Sequence, residues 1–153
     1  MDAINLRMLI ELATSARDAA AVQRARSGAA VEAARQQLNL LKGYAADYER
    51  RSQRTLASGA DIAAQTNLHA FTGKLQHAIA QQHAEIERRT LVLAQAEREL
   101  GAAQRKMKSL QALQERTLAA ACAQQNQREQ RRLDEVAQVM LAGGGRPLAV
   151  SGW

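Results

Sequence analysis

Apolar and small residues along this chain recur at steps of three and four, the period of one face of an α-helix. From Asp2 to Leu56 the series runs Leu6, Leu9, Ala13, Ala16, Ala20 and resumes as Val31, Ala34, Leu38, Leu41, Ala45, Tyr48. Joining the two halves through Gln23 and Ser27 takes one extra four-residue step, a stutter that locally unwinds a left-handed coiled coil. A second series runs Phe71, Leu75, Ile79, Gln82, Ile86, Leu93, Leu100, Met107, Leu110, Leu118, Leu133, Val136, Met140, and it thins between Ala119 and Arg132. Between the two series stands Ser58-Gly59-Ala60-Asp61. Gly59 suits the left-handed conformation that ends a helix, and Asp61 suits the cap of the next one. Thr66-Asn67 offers a second cap. The expected organisation is therefore a helix over about 3–57, a connector over about 58–67 and a second helix over about 68–142. Gly143-Gly144-Gly145 then stops the helix, and the tail 143–153 is expected to be disordered.

Two long helices joined by a short connector most simply fold back on each other. The fold class is expected to be all-α, a long antiparallel two-helix coiled-coil hairpin with a short connector and a disordered C-terminal tail. A parallel homodimer is the competing architecture, but the single break near the first third favours a hairpin and a monomer. Composition supports the helices: Ala, Leu, Gln, Arg and Glu dominate, and Pro147 is the one proline. Aromatic residues make up only 3%, namely Tyr44, Tyr48, Phe71 and Trp153, which is too little bulk for an ordinary globular core. Apolar residues make up 46%, which argues against disorder of the main body.

Charge narrows the range of partners. The net charge is +6, divided as +3 in residues 1–60 and +3 in residues 61–153, with acids interrupting the bases throughout. Glu85/Arg89 and Asp47/Arg51 stand four apart, able to pair along a helix. A nucleic-acid rod needs a dense basic stripe, so the interspersed pattern argues for no nucleic-acid partner. Cys122 is the sole cysteine, which excludes an internal disulfide and fits a reducing compartment. The start, Met1-Asp2-Ala3-Ile4-Asn5, lacks a signal-peptide pattern, and no run of about 18 apolar residues offers a transmembrane segment. A soluble, cytoplasmic protein is expected.

Catalytic chemistry is missing from the pattern. His69, His77 and His83 are eight and six apart, a spacing that does not place a metal-binding pair on one helix face. Cys122 has no base assembled around it, and Gly143-Gly144-Gly145 is followed by neither Lys-Ser/Thr nor a helix. No enzyme activity, no cofactor and no metal are expected.

Three segments are more specific than the helical background. They are the leucine-and-tyrosine stretch Gln36–Tyr48, the stretch Asn67–Gln82 containing Phe71-x3-Leu75-x2-Ala78-Ile79-x-Gln81-Gln82, and Glu129-Gln130-Arg131-Arg132-Leu133-Asp134-Glu135. In order and spacing, together with Gly59, they resemble the FliJ family of flagellar export proteins over about residues 1–140. The resemblance implies a stalk-like antiparallel coiled coil of the flagellar type III export apparatus. It implies three partners: the export ATPase hexamer, the cytoplasmic domain of the export gate membrane protein, and export chaperones. It also implies a place at the cytoplasmic face of the membrane, at the flagellar basal body. The family's gate-binding residues map onto Gln37, Leu41, Tyr44, Tyr48, Phe71, Leu75 and Ala78, and a final position, often histidine, is Gln82 here. ATPase contact is expected at the paired helix ends, through Leu6, Leu9, Ala13, Arg128, Arg131 and Arg132. The equivalent stalk of an injectisome secretion system is the nearest rival reading.

Spacing alone leaves one question open. Gln37, Leu41, Tyr44 and Tyr48 fall within about 60° of a helix face at 100° per residue, and Phe71, Leu75, Ala78 and Gln82 repeat the spacing. Such stripes are either hairpin core or an exposed hot spot.

Overall fold

The computed structural model of the chain describes residues 2–59 and 61–144. Two helices, α1 (Ala3–Ala57) and α2 (Ile62–Gly144), account for 97% of them, and no strand occurs among the described residues. The fold is the all-α helical hairpin. Gly143 and Gly144 close α2, and the rest of the expected tail lies outside the described residues. Contacts divide the chain into two units, Glu11–Met107 and Met1–Ile10 with Lys108–Trp153.

The ends of the helices follow from local chemistry. The Asp2 carbonyl accepts the Leu6 N–H at 3.0 Å, which starts α1. At the other end the Ser58 N–H reaches the Arg54 carbonyl (3.0 Å), the Gly59 N–H reaches that of Leu56 (3.4 Å), and Gly59 turns to φ +69°. A side chain there would be strained in the left-handed region, so glycine is required. The Asp61 carbonyl accepts the Gln65 N–H at 3.1 Å and α2 starts at once, so the break is shorter than 58–67. Thr66 does not cap; its hydroxyl donates back to the Ile62 carbonyl at 2.9 Å, inside the helix.

In the unit Glu11–Met107 the helices run antiparallel, and cross-helix contacts fix their register. Arg24 meets Glu97, Gly28 lies against Leu93, Arg89 reaches the Ala30 carbonyl, Gln82 that of Ala34, and Tyr48 meets Phe71. Residue numbers in these pairs sum to between 116 and 121, as a regular antiparallel pair demands. On α1 the buried and half-buried positions include 10, 13, 17, 20, then 27, 31, 34, 38, 41, 45, 48, 52 and 55; on α2 they include 65, 68, 72, 75, 79, 82, 86, 89, 93, 96, 100, 103, 107 and 110. Both series follow the heptad alternation of three and four. With a and d the inward positions, α1 takes Arg17, Arg24, Val31, Leu38 and Ala45 at a, and Ala13, Ala20, Ser27, Ala34, Leu41 and Tyr48 at d.

The expected stutter is therefore absent. The inward series passes through Ile10 and Arg17 rather than Leu9 and Ala16, both of which are exposed. Arg17 is half-buried and its guanidinium pairs with Asp18 at 2.7 Å, an arrangement open to a long side chain that can bury its stem and keep its head solvated. Ser27 is buried at the next break, and Arg24 reaches across to Glu97 at 3.4 Å.

Small and polar residues in mid-seam bring the backbones close. Gln82 donates to the Ala34 carbonyl and Arg89 to that of Ala30, each at 2.9 Å. Ala34 is 1% exposed, whereas Ala33 faces solvent. Enlarging Ala34 to Leu is expected to cost about 1–3 kcal/mol through overpacking and to lower Tm, with Ala33→Leu leaving Tm unchanged. Circular dichroism melting decides it; equal shifts for the two variants would place the seam elsewhere.

In the unit Met1–Ile10 with Lys108–Trp153, Leu6 is 3% exposed and Ile10, Leu110 and Gln114 are half-buried. From Glu115 to Gly144 every residue of α2 is exposed, including Leu118, Leu133, Val136 and Met140. The partner helix has run out: α1 supplies only Ala3–Ile10 to this unit, against Lys108–Gly144 of α2, and the sequence beyond offers no inward stripe of its own. Continued past Gln114, the a and d positions fall on Thr117, Ala121, Gln124, Arg128, Arg131 and Glu135, which hold no apolar seam.

Candidate functional site

The register settles where the two aromatic stripes stand. On α1, Leu41 and Tyr48 occupy d, while Gln37 and Tyr44 occupy the neighbouring g position; on α2, Leu75 and Gln82 occupy d, while Phe71 and Ala78 occupy g. In an antiparallel pair the g positions of both helices line the same edge. All eight residues thus belong to one strip, with the d side chains forming its floor and the g side chains its surface. Burial follows that division. Leu75 is buried, and Leu41, Tyr48 and Gln82 are half-buried, whereas Gln37 is exposed, Tyr44 is 55% exposed and Phe71 40%. Only Ala78 departs, half-buried because it is small.

The strip has a rigid centre. The Tyr48 and Phe71 rings pack across the hairpin with centroids 4.2 Å apart and planes tilted by 32°. Such a pair contributes about 0.5–1.5 kcal/mol beyond its buried area. The Arg51 guanidinium stands 5.4 Å from the Tyr48 centroid, a cation–π contact. Arg51 therefore does not pair with Asp47, as spacing suggested; Arg50 takes that carboxylate instead. Gln82 is turned inward by its bond to the Ala34 carbonyl, so it supports the floor. One apolar member escaped the sequence reading. Leu40, 56% exposed, occupies the c position beside g and lies four residues before Tyr44. Its signal was present, since a large leucine one step off the inward phase has no place in the hairpin seam.

The other expected contact residues divide differently. In the unit Met1–Ile10 with Lys108–Trp153, Leu6 is covered, Leu9 is 38% exposed, and Arg128, Arg131 and Arg132 are fully open to solvent. In the unit Glu11–Met107, Ala13 is buried at 5%. Leu6 and Ala13 thus hold the hairpin together, and Leu9 with the arginines offers surface.

Beyond the aromatic strip, along the same edge, lies a groove of about 380 Å³ lined by Gln23, Arg26, Ser27, Ala30, Arg88, Arg89 and Val92. Glu85 bonds Arg88 at 2.6 Å and Arg89 at 2.8 Å. The hydrogen bonds from Arg88, then Arg89, hold the Glu85 carboxyl down at about 2. A carboxylate lowered this way favours the native state above the ordinary carboxylate range and loses that effect as pH falls towards about 2. The cluster therefore keeps its charges throughout neutral and mildly acidic pH.

Among the described residues no group of three His, Cys, Asp or Glu forms a metal cluster, and no helix is long and apolar enough to cross a membrane. Cys122 is exposed on α2. Comparison with known proteins gives no match among curated proteins or solved structures. A family model, described as flagellar FliJ protein, matches residues 1–146. Covering both helices from end to end, that match makes the chain a member of the FliJ family and so a component of flagellar type III protein export.

Proposed function

We propose that this chain is the coiled-coil stalk that links the export ATPase hexamer to the cytoplasmic domain of the export gate, and that it also holds export chaperones. The observation that carries the reading is the single strip of Gln37, Leu41, Tyr44, Tyr48, Phe71, Leu75, Ala78 and Gln82 along one edge of the hairpin. Large aromatic groups, rigid at the base and exposed at the top, suit a protein-binding hot spot. The gate is the occupant assigned to this strip. The ATPase ring is assigned to the end of the molecule bearing Leu9, Arg128, Arg131 and Arg132, with Leu6 and Ala13 contributing through packing. Guanidinium groups facing acidic ring residues would steer and orient that encounter.

The chain works without catalysis, as a monomer when free, in the cytoplasm and peripherally at the membrane face of the flagellar basal body. Membership of a flagellar family favours this assignment over an injectisome stalk. The test is co-purification: tagged protein should retain both the export ATPase and the gate's cytoplasmic domain from lysate, in one complex. Retention of neither would end the proposal.

A further inference from the structure

The groove beside the aromatic strip has a charge balance that the strip itself does not explain. Arg26, Arg88 and Arg89 line it, and Glu85 is the carboxylate that pairs with Arg88 and Arg89. Arg26 pairs with no carboxylate among the described residues. Arg89 is fixed in place, since it also donates to the Ala30 carbonyl at 2.9 Å. Arg88 keeps a side chain that is 64% exposed. Three guanidinium groups against one carboxylate leave a surplus of positive charge above the buried Ser27.

Position adds direction to this charge. Gln23 and Ala30 on α1 and Val92 on α2 occupy the same g edge as Gln37, Tyr44, Phe71 and Ala78, with Arg26 and Arg88 at the adjoining c positions. The rise of about 1.5 Å per residue puts the groove, centred near Ala30, roughly 10 Å from Gln37 and roughly 20 Å from Tyr44. A partner segment lying along the aromatic strip runs next over the arginines.

We infer that the Arg26–Arg88–Arg89 groove is the acidic-peptide end of the gate-binding surface: it takes carboxylate side chains of the same segment whose apolar anchors occupy the Tyr44–Phe71 strip. Guanidinium groups suit this task because each presents a planar fork of donors to a carboxylate. Val92 and Ala30 supply an apolar wall, so the segment carries its acids beside aliphatic side chains. The opposite end of the strip fits the same layout, since Arg51 caps the Tyr48 ring and limits the apolar anchor there. Because the groove is open to solvent, its effect falls mainly on association rate and on salt dependence.

This inference rests on the gate reading, and one set of measurements separates the two. The gate's purified cytoplasmic domain is titrated with wild type, Arg26→Glu and Tyr44→Ala at low and at high ionic strength. Arg26 is exposed at a c position, so its replacement leaves the hairpin seam untouched, which unchanged melting verifies. Arg26→Glu is expected to lower affinity at least tenfold at low salt, with the deficit shrinking as salt rises. Tyr44→Ala is expected to lose affinity to a similar degree at both. Undiminished affinity of Arg26→Glu at low salt overturns the groove assignment while the strip stands; a deficit independent of salt overturns it too. If Tyr44→Ala binds like wild type, the strip reading falls, and the groove's assignment as the end of that surface falls with it.

Discussion

Tyr44→Ala is expected to weaken binding of the gate's cytoplasmic domain by about 1–3 kcal/mol, roughly 5- to 150-fold, while leaving Tm unchanged. The two effects separate because Tyr44 stands at a g position and is 55% exposed. Its ring is open surface and adds little to the seam. Tyr48→Ala, four residues on, is expected to lower both quantities, since that ring packs on Phe71 at 4.2 Å and forms part of the floor. Phe71→Ala falls between them: 40% exposed yet stacked, it should cost affinity and also some stability. Leu40→Ala should behave like Tyr44→Ala with a smaller loss. Calorimetric titration alongside thermal melting reads all four. If Tyr44→Ala melts as early as Tyr48→Ala, or binds as tightly as wild type, the division of the strip into floor and surface is wrong.

The second large effect concerns the ATPase. Replacing Arg128, Arg131 and Arg132 together by Glu reverses three charges on a stretch where every residue is solvent-facing. Association with the ATPase hexamer is expected to fall by at least about tenfold, mainly through the on-rate, because like charges then oppose the encounter. Stability should not move, since none of the three touches the hairpin seam. The wild-type protein and the triple variant are compared for stimulation of ATP hydrolysis and for ring assembly. Undiminished stimulation by the variant would exclude these arginines from the contact. Leu6→Ala offers a contrast: a residue 3% exposed should reduce Tm first and ATPase association only as the helix end loosens.

Much of the fold was legible because few residues could speak for anything else. Gly59 announced the reversal and adopts the left-handed turn it suggested. The apolar period announced both helices. The stutter was misread because an apolar census skips arginine: Arg17 is half-buried at an inward position, so the unbroken heptad was invisible to a count of leucines and alanines. Thr66 misled in a related way, since a hydroxyl that suits a cap equally suits a bond to the carbonyl four residues back. The candidate strip was half legible. Spacings of four, three and four describe a d–g stripe as well as an a–d stripe. Only the antiparallel register shows that the four residues on each helix share one edge. The arginine groove was hidden for the same reason, because its lining comes from both helices, whereas Leu40 could have been read from its place one step off the inward phase.

The open stretch of α2 from Glu115 to Gly144 has a consequence for how it is held. Its backbone hydrogen bonds are closed within the helix, yet no packing covers them, so its helicity depends on propensity alone. Its amides should exchange with solvent far sooner than those around Val31 and Leu38, and trypsin should cut first at Arg116, Arg128, Arg131 and Arg132. A partner that grips this stretch therefore supplies the missing packing and pays the remaining ordering entropy. Affinity there becomes a function of helix content: a glycine pair in place of Gln124 and Gln125 should weaken the grip without altering a single contacting side chain.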